Sequence, residues 1–203
     1  QAETADDETR ERAIAAAGMV KAADLLASEY TLVITNVPYL GRGRQDDLLK
    51  DHLERHFDDG KADLATAFLL RCLELGSSGG CSVMVTPQNW LFLTSYKRLR
   101  LGLLKRHRWD LVARLGPGAF EGIGGHVVNV ALPVLSATRP DEAATISGID
   151  VSRATSASEK ARELSGVDSG HFVLIPQAEQ LSNPDAIITF ERRGTSGLLG
   201  NYA

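Results

Sequence analysis

The stretch from Tyr30 to Gly43, YTLVITNVPYLGRG, limits what this chain can fold into more than any other. Five of the six residues Tyr30, Thr31, Leu32, Val33, Ile34 and Thr35 are β-branched or aromatic, which predicts a strand. Its near-continuous apolar character suits the middle of a sheet covered on both faces. Pro38 and the Gly-Arg-Gly that follows end the strand. In an open α/β sheet, ligands bind beyond the carboxyl ends of the strands. Asn36, Val37, Pro38 and Tyr39 are therefore delivered to the place where chemistry sits.

Asn36 offers a side-chain carbonyl acceptor and Val37 a backbone one. Pro38 has no N–H and pushes Val37 into extended geometry, which fixes the direction of that carbonyl. Two convergent acceptors can hold an exocyclic amino group and draw its nitrogen out of conjugation. Tyr39 adds a flat face on which a base can stack. The set suits an NH2 on a heterocycle, although a strand that simply ends in a proline turn would contain the same residues.

NVPY resembles the Asn-Pro-Pro-Tyr motif of amino-group DNA methyltransferases, which move a methyl from S-adenosylmethionine to adenine N6. The longer string NVPYLGRGRQ most resembles the methyltransferases of type IIG restriction-modification and BREX phage-defence systems. Val37 stands where the common motif has proline, and it keeps the backbone carbonyl that the family uses there. The resemblance covers most of Tyr30 to Ser136, about half the chain. DLATAF resembles the helix after the catalytic loop, which implies that Phe68 lies beside the cofactor's adenine; a core position on an apolar helix is the other reading. CSVMVTPQNWLF resembles the family's next strand and proline turn. GPGAFEGIGGHVVNVALPVL resembles the loop and strand whose aromatic residue packs on the extruded base, here Phe120. Tyr39 and Phe120 would then sandwich the target adenine, where Phe120 alone could equally plug a core edge.

By the same resemblance, Arg42 and Arg44 in GRGR lie where phosphate contacts would position double-stranded DNA; a solvated loop pair is the alternative. The basic run Lys97, Arg98, Arg100, Lys105, Arg106 and Arg108 looks like a nucleic-acid stripe. Its helix should cover the back of the sheet, so an exposed, solvated face is expected. His52 and His56, four apart in HLERH, lack the glutamate that metalloprotease spacing needs and read as solvated. His126 reads as structural, and no metal site is expected.

The remaining pattern predicts a helix over Gln1 to Leu26 with Asp6, Asp7 and Glu8 at its electrostatically favoured end. Further helices are expected over Gln45 to Phe57, Asp63 to Leu75 and Trp90 to Arg106. Strands are expected over Cys81 to Thr86, Trp109 to Leu115 and Val127 to Leu135. This is an α/β fold, a partial Rossmann-like methyltransferase sheet comprising its catalytic-loop half and ending in a β-hairpin. The divisions expected are a helical segment over 1–29, the methyltransferase half over 30–137, and a connecting arm or the start of a target-recognition module over 138–203. In the last of these, a strand at Ala144 to Val151, a short helix near Ser158 to Leu164 and apolar pieces at Phe172 to Ile175 and Ile187 to Phe190 stand out.

A net charge of −4 over 203 residues argues against a surface coated in nucleic acid but leaves room for a local basic groove. Cys72 and Cys81 have no CxxC partner, which suits a reduced, cytoplasmic protein. No apolar run reaches membrane-spanning length, and the acidic start is no signal peptide. The glycine-rich cofactor strand-loop that the family carries should lie upstream of Tyr30, where no such pattern occurs. The chain thus reads as a fragment, inactive and binding S-adenosylmethionine weakly by itself, and its open sheet edge is expected either to self-associate or to be covered by the Gln1 to Leu26 helix. A protein-glutamine methyltransferase, which also acts on an NH2, and a non-catalytic interaction piece are the rivals.

Overall fold

The computed structural model describes residues 2–120, 128–166 and 172–190. Its framework is one mixed sheet of six strands: β1 (Tyr30–Asn36), β2 (Gly76–Pro87), β3 (Arg108–Gly116), β4 (Val130–Ser136), β5 (Thr145–Asp150) and β6 (Val173–Pro176). They lie in the order β1-β2-β4-β3-β5-β6. β1 and β2 are parallel, and β4 runs antiparallel between β2 and β3. This is the expected half-sheet closed by a hairpin. β5 then pairs in parallel with β3 and β6 antiparallel with β5, so residues beyond 138 extend the same sheet.

The helices are α1 (Ala2–Ala27), α2 (Asp47–His56), α3 (Leu64–Glu74), α4 (Lys97–Arg106), α5 (Ala157–Leu164) and α6 (Gln177–Gln180). α2 and α3 each start at an aspartate whose carboxylate accepts from the first turn: Asp46 from Leu49 N–H at 2.7 Å, and Asp63 from Ala65 N–H at 2.9 Å. Helices α3 and α4 bury Leu69, Leu73, Leu99 and Leu103 against Met84, Trp109 and Leu135 of the sheet. Trp90 and Trp109 meet there with ring centres 5.6 Å apart. A smaller cluster on Ala113, Leu115, Val130, Ile149 and Val151 includes Leu164 of α5.

Several expectations need correction. β1 is an edge strand in this chain, and one of its faces is open, with Leu32 52% and Ile34 69% exposed. α1 does not cover that edge: its side chains from Thr9 to Ala27 are exposed. The helix expected from Trp90 begins only at Lys97. Before it, two short 3-10 turns over Gln88–Leu91 and Thr94–Tyr96 sink Trp90 into the core, its indole N–H donating to Thr86 Oγ1 at 3.0 Å. β2 begins earlier than the expected Cys81: the segment GSSGG over 76–80 enters it through a shift in register, with Gly79 at φ +77°.

The basic run is not uniformly solvated either. Arg100 is fully buried and donates to the carbonyls of Trp90 (2.6 Å), Leu93 (2.8 Å), Asp185 (2.8 Å) and Ala186 (3.1 Å). It fastens the segment that follows α6 beneath α4. Burial pushes its guanidinium down to about 10 while Asp185 pulls the other way, so it stays charged at neutral pH.

Candidate active site

The carboxyl end of β1 delivers the tetrapeptide as its sequence implies. Val37 is 3% exposed and its N–H donates to Val85 O of β2 at 3.4 Å, so the sheet holds the backbone in place through this residue. Asn36, Pro38 and Tyr39 emerge at the surface. Asn36, Val37 and Tyr39 line a cavity of about 300 Å³ whose opposite wall is Gly118, Ala119, Phe120, Val128 and Val130. The structure thus brings Asn36, Val37, Tyr39 and Phe120 together from two segments some eighty residues apart in sequence. Pro38 lies between its neighbours without lining the cavity. Tyr39 and Phe120 are 36% and 43% exposed, so each ring keeps free surface for a partner. Burial pushes the Tyr39 phenol up, and the nearby Asp63 carboxylate adds to the effect. The ring is neutral at physiological pH.

Asp63 was not singled out by sequence, yet it organises this loop. Its Oδ1 accepts from Leu40 N–H at 3.2 Å as well as from Ala65 N–H, tying the residue after Tyr39 to the start of α3. Leu40 O accepts from Leu64 N–H and from the Gln45 amide, both at 3.0 Å, and Arg42 N–H donates to Ala62 O at 3.0 Å. Gln45 is 3% exposed and was likewise overlooked. The visible signal was the aspartate directly before LATAF, which marks a helix cap but not its second partner.

A neighbouring cavity of about 490 Å³ shares Tyr39 and Val128 and is lined by Gly41, Arg42, Gly43, Arg44 and Asp63. The two arginines differ. Arg42 is ion-paired with Glu54, which Lys61 also approaches at 3.8 Å. Arg44 is exposed and has no carboxylate partner among the described residues. Phe68 is elsewhere: 40% exposed on α3, it lines a separate apolar cavity of about 520 Å³ with Leu49, Leu53, Leu64 and Ala67. His52 and His56 border that cavity, their rings 4.6 Å apart. Among the described residues, no cluster of three or more His, Cys, Asp or Glu side chains could hold a metal. His126 and the glycines of GIGG lie outside the described residues.

Three of the six residues of the basic run are ion-paired locally. Lys97 pairs with Asp185 (2.9 Å), Arg98 with Asp58 and Asp59 (both 3.0 Å) and Arg108 with Asp110 (3.2 Å). No described helix is long and apolar enough to cross a membrane.

Comparison with known proteins agrees with the strand-and-loop arrangement. The family described as "Eco57I restriction-modification methylase" matches residues 3–117. The chain is 35% identical over 112 residues to the adenine-specific methyltransferase PglX of Lacticaseibacillus casei (strain Zhang), covering 54% of this chain and 9% of that protein. It is 33% identical over 130 residues to the adenine-specific methyltransferase BrxX of Escherichia coli O9:H4 (strain HS), covering 64% of this chain and 11% of the relative. The chain therefore spans about a tenth of the length of these relatives. A solved structure of a type I restriction-modification system superposes with a TM-score of 0.59 at 18% identity, over 86% of this chain and 40% of that one.

Proposed function

The chain belongs to the Eco57I restriction-modification methylase family, and on that premise we propose that it carries the catalytic loop of a methyltransferase acting on adenine N6 in double-stranded DNA. The observation that carries the reading is the cavity of about 300 Å³ shared by Asn36, Val37, Tyr39 and Phe120. Its lining combines Asn36 and Val37, which carry carbonyl acceptors, with apolar and aromatic residues, a composition that suits an extruded aminopurine. The Asn36 side-chain oxygen and the Val37 carbonyl accept from the amino group and hold its lone pair toward the methyl donor. Tyr39 and Phe120 grip the ring. Val37 is anchored through β2, so its carbonyl needs no rearrangement as charge develops on the nitrogen.

S-adenosylmethionine, when bound, supplies the electrophilic methyl group. The residues present suit its adenine: Phe68 exposes a flat face in an apolar cavity with Leu49, Leu53 and Leu64. Asn36, which lines the cavity proposed for the base, is the second residue assigned to it. Arg44, without a carboxylate partner among the described residues, is the better candidate for the DNA backbone, while Arg42 must first leave Glu54. The activity belongs to the whole protein. This chain alone is expected to be inactive and to bind the cofactor weakly.

Radiolabelled methyl transfer by the whole protein, onto a DNA duplex and in parallel onto a glutamine-containing peptide, tests the assignment. Label should enter the duplex adenine, and Asn36→Ala should lower turnover by a hundredfold or so, the usual cost of one lost polar contact to developing charge. Label entering only the peptide, or an Asn36→Ala variant with wild-type turnover, would falsify it.

A further inference from the structure

The turn between β5 and α5 lies beyond the stretch matched by the family, yet it packs directly on the wall of the cavity. Lys160 is 2% exposed, and its ammonium donates to Val151 O at 3.1 Å and Ala154 O at 2.5 Å. One residue earlier, Glu159 Oε2 accepts from Thr155 N–H (2.8 Å), the Thr155 hydroxyl (2.9 Å) and Ser156 N–H (3.3 Å). The first turn of α5 thus fastens both halves of the loop 151–156. A buried ammonium is costly unless its donors are satisfied, so the two carbonyls are held where Lys160 requires them.

That loop leans on the strand end that leads to Phe120. Val151 N–H donates to Arg114 O at 2.9 Å. Gly116 and Gly118 have φ of +64° and +67°, and a Cβ on Gly116 would sit 2.6 Å from Ser152 Cβ. Ala119, the next residue, packs against the buried cluster that contains Val151, as does Leu164 of α5, and both Ala119 and Phe120 line the cavity. We propose that Glu159 and Lys160 are positioning residues for the Phe120 wall, so that the segment 150–160 is a brace setting the spacing between the Tyr39 and Phe120 rings. This rests on reading the cavity as the pocket for an extruded base.

The test uses Lys160→Met, Glu159→Ala and the conservative Glu159→Gln in the whole protein, with Phe120→Ala as a reference. Affinity is measured for a matched duplex, for a duplex mismatched at the target adenine, and for S-adenosylmethionine. Lys160→Met and Glu159→Ala should each weaken matched-duplex binding roughly tenfold, about the share of one base–aromatic stack. Cofactor affinity should stay unchanged, the mismatch should recover part of the loss, and Glu159→Gln, which keeps a carbonyl acceptor, should behave as wild type. Glu159 is at the surface, so its variants decide the matter if Lys160→Met fails to fold. If Phe120→Ala weakens duplex binding while the brace variants leave the matched-to-mismatched ratio unchanged, the brace is merely structural and the inference falls. If Phe120→Ala itself leaves duplex binding untouched, the base-pocket reading falls, and the inference with it.

Discussion

At the scale of single residues, Phe120 and Asp63 carry the sharpest expectations. Phe120 keeps 43% of its surface exposed, too much for a core plug. Phe120→Ala should therefore cost only about 1–1.5 kcal/mol of stability, well short of the roughly 3–5 kcal/mol of a core truncation. Thermal melting checks this, and a core-sized loss would return Phe120 to the structural reading. Asp63 holds two N–H groups through one oxygen. Asp63→Asn keeps that acceptor and should preserve methyl transfer, whereas Asp63→Ala should lower turnover and lose about 1 kcal/mol as a missing helix cap. Equal turnover for the two variants would show that the Leu40 tie does not matter. The tetrapeptide could be read from sequence because its residue types act locally. The Asp63 tie could not, because a second bond to a backbone N–H leaves no pattern in the chain.

At the scale of elements, the open face of β1 governs behaviour in solution. Leu32 and Ile34 project from an edge strand that pairs only with β2 among the described residues, and its free side invites pairing with another copy. The chain alone should self-associate by light scattering, and Ile34→Lys should restore the monomer with little change in melting temperature, since the side chain is 69% exposed. A wild-type monomer at high concentration would contradict this. α1 should exchange its amide hydrogens quickly, because its side chains from Thr9 to Ala27 are exposed; at its end, Tyr30 Oη–H donates to Leu25 O (2.7 Å) and Arg71 to Leu26 O (2.9 Å). The strands β1 to β4 were legible from apolar runs closed by Pro38, Pro87 and the glycines of GPG. That β5 and β6 join the same sheet was not, since pairing between distant strands has no local signature. Arg100 misled for a related reason: charge spacing along a helix does not reveal a segment 85 residues away lying across it.

At the scale of the whole molecule, acid stability should turn on His107. Its ring is half-buried, with Nδ1 shielded and without a partner among the described residues, and burial, aided by Arg106, pushes its pKa below the usual 6.5 against a weaker upward pull from the Ser136 backbone. The unfolded chain then binds a proton that the folded chain refuses. Stability is full above pH 6.5 and declines as pH falls from 6.5 toward the folded value. Asp58, Glu159 and Asp185, whose carboxyls are held low by their partners, act only in more acid solution. Melting temperature should fall between pH 7 and pH 5.5 in the wild type and stay level over that interval in His107→Gln. A variant with the same slope would assign the loss to other groups.

The Arg100 clasp also bears on synthesis. The guanidinium, at position 100, finds half of its acceptors at Asp185 and Ala186, which leave the ribosome some 85 residues later. At about 5–20 residues per second, that is a delay of roughly 4–17 s. Throughout it, α4 carries a charge that the finished core buries, and Trp90 and Leu99 lack the cover that Ala186 and Ile188 later provide. A nascent chain stalled before residue 184 should therefore remain protease-sensitive around α4 and occupied by chaperones, and one extended past residue 190 should be released from both.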